Sequence, residues 1–439
     1  MSAAPLAARF VRELEGLGLA PGTWLVAVSG GPDSVALVHL LADAAAGQGL
    51  ALVAAHADHG IHPESAAVAE RVRQLAAHLA MPVTLVRLEL GADATETEAR
   101  EARYRWLRAE CARLGAHGIF TAHHADDQAE TVLMRVLRGS GPAGLAGMAR
   151  RTQDLVRPLL PFRREELAQY LLGRGIGAWI DPANADPKHL RSWIRTEVVP
   201  VVERRLPDLT ERLLAVAAQA RCEREAWDAV LDRLHDLGVR EEHGRVSLEA
   251  TALASLPGGL PAQLVRVAAR RVGGRVSPAA ARRAVRLARD GTSGQRADLG
   301  GGWSAESSFG RLVLGPATLA EPDMVLPTSG ESRWCGWRLT CRAGTAGPVE
   351  RGGWQSWLPP GDLSVGAPRI AERLRPLGGT GSRLVSRLLQ EARVPRGERA
   401  TWPVLRRGGV AVWVPGVSRS ESCVPEPGRE AVRIDVERA

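Results

Sequence analysis

The chain has 439 residues, 45% of them hydrophobic and 24% charged, and a formal net charge of +8. That length supports two or three domains with sizeable cores, and the balance excludes a disordered chain. Five widely spaced cysteines (Cys111, Cys222, Cys335, Cys341 and Cys423), none in a C-x-x-C pair, argue against a disulfide framework, an iron–sulfur site and a zinc ribbon. No leader-like segment opens the chain and no apolar run reaches ~18 residues, so the expectation is a cytoplasmic protein with no membrane partner. Lys188 is the single lysine, and coding bias toward arginine accounts for that choice. Guanidinium groups nonetheless suit bidentate phosphate contacts, which fits a polyanionic partner.

In chain order, short apolar runs at 24–29 (WLVAVS), 50–56 (LALVAAH), 82–90 (PVTLVRLEL) and 118–123 (GIFTAH) predict strands. Helical stretches separate them. The alternation predicts an α/β fold, a parallel sheet with helices on both faces. Ligands of such sheets sit beyond the carboxyl ends of the strands, here Ser29–Gly31, His56–His59 and His123–Asp127. The texture changes near Pro207. Residues 209–240 and 260–290 are rich in Ala, Leu and Arg with helical spacing. From about 297, Gly, Trp and short β patterns dominate, and the last segment mixes a helix (GSRLVSRLLQEARV) with strands such as VAVWVPGV. The expected domains are an α/β unit over 1–205, a mainly helical middle over 206–320 and a small α+β unit over 321–439.

The first strand runs into SGGPDS. Gly30 and Gly31 let the backbone take unusual dihedrals and bring its N–H groups close to an anion. Pro32 opens a helix, whose N-terminus adds partial positive charge beside Ser29 and Ser34. Asp33 would repel phosphate alone, but makes sense beside Mg²⁺ bridging phosphates. A capped turn with no ligand is the alternative. The loop lacks the lysine of a Walker motif.

The second strand end reads HADHGIHPES. His56, Asp58, His59 and His62 fit no common zinc spacing, and a polar loop capping the next helix explains them equally well. The third cluster is HHADDQAETVLMRVLRGSGPAGL. Ala129, Val132, Leu133, Val136 and Leu137 make an apolar helix stripe. Asp126 and Asp127 fall at the helix start, where one carboxylate can serve as the cap. Glu130 lies about one turn beyond Asp127. An acidic pocket there would suit a cationic substrate or Mg²⁺.

SGGPDS after a first strand resembles the loop of PP-loop ATP pyrophosphatases, which have an adenine nucleotide alpha hydrolase-like fold. With HADHGI, ETEAREARYRWL, HHADDQAETVLMRVLRGSGPAGL, RPLL, DPANAD and RSWIRTEVVP following in order, and LRPLGGTGSRLVSRLLQEARV near the end, the chain resembles the tRNA(Ile)-lysidine synthase family. That resemblance implies ligation of free L-lysine to carbon 2 of the wobble cytidine of tRNA(Ile) with a CAU anticodon. ATP and Mg²⁺ are consumed or required, AMP and pyrophosphate are released, and an adenylated tRNA is the intermediate. It implies Ser29, Gly30, Gly31, Pro32, Asp33 and Ser34 around the phosphates, with Asp33 near Mg²⁺ and His56 bordering the nucleotide. Asp127 and Glu130 orient the lysine amine, with Asp127 as general base. His124 sits near the nucleotide, Arg103 and Arg195 take phosphate roles, Arg191 is a weaker neighbour and Asp181 organises its loop. Assembly would be a homodimer or a monomer.

Two departures stand out. Ser192 occupies a position where the family usually has Asn, and Arg383 and Arg387, with Val385 between them, stand where it usually carries lysines. Trp402 reads as core. Other readings are a tRNA thiolation enzyme, which needs catalytic cysteines while Cys111 reads as buried filler, an amidating synthetase, and a non-catalytic RNA-binding protein.

Overall fold

The computed structural model describes residues 3–58, 60, 65–88, 90, 95–177, 190–317, 320–349 and 352–438. His59, His62 and Asp181 lie outside the described residues. By its internal contacts the chain divides into two compact units, Met1–Glu225 and Ala226–Ala439.

The first unit begins with α1 (Ala3–Glu15), β1 (Gly22–Ala27), α2 (Pro32–Ala45), β2 (Leu50–Asp58), α3 (Ser65–His78), β3 (Val83–Arg87) and α4 (Glu96–Arg113). It continues through β4 (Ile119–Phe120), α5 (Ala125–Leu137), α6 (Pro142–Leu145), β5 (Leu155–Val156) and α7 (Arg164–Gly173). The five strands are all parallel, in the order β3-β2-β1-β4-β5. The chain therefore leaves β1 toward one edge and later returns to β1's other side. That reversal opens a crevice at the carboxyl ends of β1 and β4.

Alternation along the strands explains the two covered faces. Trp24, Val26, Ala54, Phe120 and Val156 pack with α1 and α2 in one core, which includes Phe10, Leu14, Leu37 and Leu41. Leu25, Ala55, Ile119 and Leu155 point the other way and meet Leu107 of α4. The helix starts follow from local chemistry. Gly31 holds an extended φ of −73° and ψ of 162°, and Pro32 follows at the first helical position of α2. Thr95 Oγ1 accepts from the Glu98 N–H at 3.2 Å while Glu98 accepts from the Thr95 N–H at 2.8 Å, a reciprocal cap that starts α4.

After α8 (Leu190–Trp193) comes one wide π turn, Ile194–Val198, and then α9 (Val199–Glu203) and α10 (Leu209–Arg233). The unit boundary falls within α10. In the second unit the helices Ala250–Ser255, Leu260–Arg271 and Pro278–Asp290 give the expected helical middle. They share a core with a five-stranded antiparallel sheet that includes Arg240–Glu242 and Arg245–Glu249. The rest includes two further antiparallel sheets, of five and four strands, around Trp334, Trp337 and Trp413, and a two-stranded antiparallel pair, Arg373–Leu374 with Arg383–Leu384. Trp402 is buried there, and its indole N–H donates to the Pro415 carbonyl at 3.1 Å. Val385 is fully buried, so its apolar side chain belongs to that core.

Candidate active site

At the end of β1 the backbone turns through Gly30 at φ +86°, and a Cβ there would sit 2.8 Å from Val68 Cγ1 of α3. Only glycine fits. Ser34 Oγ accepts from the Ser29 N–H at 3.2 Å and the Gly30 N–H at 3.1 Å, and donates to the Gly31 carbonyl at 2.8 Å. The loop is thus pre-shaped by its own serine. The first-turn N–H groups of α2 remain as anion donors. Replacing Gly30 with alanine should destabilise the fold by about 1–3 kcal/mol through the strained φ and the Val68 clash. A lowered urea midpoint and a raised KM for ATP would record it.

This loop forms one wall of a cavity of about 600 Å³ at the carboxyl end of the sheet, within the ~300–1,000 Å³ range of small-molecule sites. Ser29, Gly31, Pro32, Asp33, Ser34, His56, Arg103, Asp127 and Arg195 all line it. Gly30, His124 and Glu130 do not line it and stand behind its surface. The cavity also takes in Asp58, Tyr104, His123, Arg164, Arg191 and Ser192.

His56 is buried, and its Nδ1 lies 2.7 Å from the Val28 carbonyl. That contact requires an N–H on Nδ1 and leaves Nε2 as an acceptor, buried and without a partner. Burial, with the Arg103 charge adding to it, holds the ring below its ordinary pKa, so it is neutral at pH 7.

His124 has no exposed surface. Its ring lies 3.5 Å from Asp33, 3.4 Å from Asp126 and 3.4 Å from Asp127. Burial alone would lower its pKa, but Asp126, Asp33 and Asp127 together push it up to about 9. It is a buried cation that gathers three carboxylates. Asp126 accepts from the Arg164 N–H at 2.7 Å and from Arg163 Nε at 3.0 Å, so it caps α7 rather than its own helix. Asp127 Oδ2 accepts from the His124 N–H at 3.1 Å at the start of α5.

The other oxygen of Asp127 and both oxygens of Glu130 are met by two arginines. Arg191 reaches Asp127 and Glu130 at 2.8 Å each. Arg195 reaches Glu130 at 2.6 and 2.9 Å and Asp127 at 3.2 Å. Glu130 is nearly inaccessible behind them. Burial alone would raise the Asp127 pKa; the charges of His124 and Arg191 outweigh it and keep the carboxyl ionised. His123, on the cavity side, hydrogen-bonds Thr121 Oγ1 at 3.0 Å, and burial holds its pKa down at about 3. The site is therefore a pair of carboxylates that already holds cationic groups, facing a phosphate-shaped loop. Only Asp127 of the pair reaches the cavity, where its ionised carboxylate can accept from an ammonium group.

The sequence singled out one histidine of the pair 123–124, and the cavity is lined by the other. Arg191 is as close to the acids as Arg195. Tyr104 and Arg164 were missed. Tyr104 directly follows Arg103, and Arg164 opens the helix that Asp126 caps. Cys111 donates to the Ala116 carbonyl at 3.2 Å, has its thiol pKa raised by burial, and is absent from the cavity lining.

Among the described residues, no cluster of three or more acidic, histidine or cysteine side chains forms a metal site. Asp33 offers a single partly exposed carboxylate at the helix start. That donor set fits Mg²⁺ held mainly by substrate phosphates and water.

Residues 6–202 match the PP-loop domain family, which puts the parallel sheet and its loop in the class of PP-loop, ATP-using enzymes. Residues 363–436 match the TilS substrate C-terminal domain. The tRNA(Ile)-lysidine synthase of Symbiobacterium thermophilum is 35% identical, with 94% of each chain covered. That of Alkalilimnicola ehrlichii is 36% identical, covering 95% of this chain and 94% of its own. The chain belongs to the tRNA(Ile)-lysidine synthase family. A solved U34-tRNA thiolase from Methanococcus maripaludis is 15% identical, with a TM-score of 0.43 over 50% of this chain and 78% of that one.

Proposed function

We propose that this chain joins the ε-amine of free L-lysine to carbon 2 of the wobble cytidine of an isoleucine tRNA with a CAU anticodon. The observation that carries the reading is Asp127, an ionised carboxylate on the wall of the same cavity as the SGGPDS loop, with Glu130 behind it holding Arg191 and Arg195.

In the first step cytosine O2 attacks the α-phosphate of ATP and pyrophosphate leaves. The loop of Ser29 to Ser34 and the N-terminus of α2 hold the phosphates, with Asp33 facing Mg²⁺ brought by ATP. Mg²⁺ supplies charge neutralisation for the leaving pyrophosphate. His56 Nε2 offers an acceptor to the adenine amino group, and Arg103 and Arg195 face the phosphoryl group. In the second step the lysine amine attacks carbon 2, the bond to the AMP oxygen breaks, and AMP departs. A free amine has a pKa near ~10.4, so it must shed a proton. Asp127 orients the ammonium and accepts that proton. Glu130 acts from behind, by holding Arg191 and Arg195. His124 keeps Asp33 and Asp127 in place and does not touch the nucleotide. The regions 206–320 and 321–439 contribute tRNA contacts, and the reaction is a cytoplasmic one.

The reading requires that pyrophosphate release depend on tRNA and precede lysine. With lysine omitted, labelled AMP should remain attached to the CAU isoleucine tRNA, one per active site. Pyrophosphate release at the same rate without tRNA would overturn the order of steps. A thiolation chemistry has no cysteine among the residues that line the cavity.

A further inference from the structure

A second cavity lies along α4 and carries no assigned role. It is a groove of about 640 Å³ lined by Arg100, Arg105, Arg108, Glu101 and Tyr104, among others. Tyr104 lines both this groove and the catalytic cavity, so the two spaces share a wall. The guanidinium carbons of Arg100, Arg103 and Arg108 lie 5.0, 5.7 and 5.8 Å from the centre of the Tyr104 ring. Arg108 pairs with Asp154 at 2.6 Å. Among the described residues no carboxylate pairs with Arg100 or Arg105, and both are exposed. Behind them Arg157 is buried, with its guanidinium pKa lowered by burial and, against the pull of Tyr104, by the Arg100 charge.

Crowding like charges around one aromatic ring opposes folding unless something neutralises them. A small anion would call for donors converging on a point. These arginines instead form a row. From Arg100 to Arg108 the helix rises about 12 Å at ~1.5 Å per residue, the span of roughly three to four stacked nucleotides at ~3.4 Å each. A tyrosine beside arginines is the combination that stacks a base while its phosphates are neutralised.

We propose that this groove is the track for the single-stranded RNA that flanks the target cytidine, with Tyr104 stacking on a neighbouring base where the strand enters the catalytic cavity. The inference rests on the tRNA reading above and adds the path of the strand. Charge complementarity and the shared Tyr104 wall both favour loop RNA as the occupant.

The test is salt-dependent binding of the CAU isoleucine tRNA transcript to the full chain between roughly 50 and 200 mM salt. Removing two phosphate contacts in Arg100→Gln/Arg105→Gln should lower the log–log salt slope by about 1.5 and weaken binding about tenfold or more at low salt. A control pair with the same change in net charge, Arg12→Gln/Arg71→Gln, alters exposed arginines of α1 and α3 and should leave the slope within error. Tyr104→Leu should weaken binding about tenfold, and Tyr104→Phe should restore it, because a ring is what stacking needs. ATP binding by each variant, measured separately, reports the integrity of the fold. An unchanged slope in the first pair, or equal loss in both pairs, overturns the proposal. If the unaltered chain forms lysidine and the slope does not move, the strand path alone is wrong. If the unaltered chain binds no tRNA, the functional reading falls with it.

Discussion

Asp127→Asn should lower lysine transfer by about 10³-fold, the middle of the ~10²–10⁴-fold range for a positioned acid–base group. Adenylation should survive, measured as one tRNA-dependent equivalent of pyrophosphate. The substitution is nearly isosteric, and an amide oxygen can still accept from the His124 N–H that Asp127 caps. The fold should therefore persist. What is lost is the negative charge that draws an ammonium and the basic oxygen that takes its proton. Glu130→Gln should behave differently. Glu130 lies behind the cavity and holds Arg191 and Arg195, so its loss should loosen both arginines, impair adenylation and lysine transfer together, and lower stability. Equal loss of both steps in Asp127→Asn would show that Asp127 acts through the phosphates instead.

The largest stability effect should come from His124. Three carboxylates surround its buried ring, at 3.4–3.5 Å. In His124→Gln the acids keep their burial and lose their cation, which should cost about 3–5 kcal/mol. The pH dependence follows from the raised pKa of about 9. Between the ordinary value of 6.5 and about 9 the folded chain binds a proton that the unfolded chain has released, so this stability is whole below pH 6.5 and is lost as pH rises through 9. At ~1.4 kcal/mol per unit the decline is about 3 kcal/mol. Urea midpoints at pH 6, 7.5 and 9 should fall for the parent chain and stay nearly level for His124→Gln over this window. Parallel curves would mean that the ring is not a buried cation.

Local chemistry made the phosphate loop readable. The turn needs a positive φ at Gly30, and the helix start needs Pro32, and both needs are written into adjacent residues. The sheet was readable for the same reason, because each strand buries alternate residues on two faces. Long-range pairing was not readable. Asp126 caps a helix that begins 38 residues later. Arg191 meets Asp127 from 64 residues away, on a helix that runs into a π turn. Whether His123 or His124 faces the cavity depends on where a two-residue strand hands over to α5. Pattern alone does not set that handover. The hairpin of 240–249 was not readable, because its first strand, Arg240–Glu242, is charged and exposed and its second buries only Val246 and Leu248. His243 and Gly244 both take positive φ, 49° and 71°, as a tight type I′ hairpin requires.

The most direct measurement is the fate of labelled lysine. The purified chain would be incubated with ATP, Mg²⁺, radiolabelled L-lysine and unmodified isoleucine tRNA bearing a CAU anticodon, beside a methionine tRNA with the same anticodon. Acid-stable label on the isoleucine tRNA alone, absent with Asp127→Asn, is the predicted result. Pyrophosphate released in a tRNA-dependent manner with no lysine retained on the isoleucine tRNA would contradict it: the loop would still cleave ATP, but the Asp127–Glu130 site would not be a lysine site.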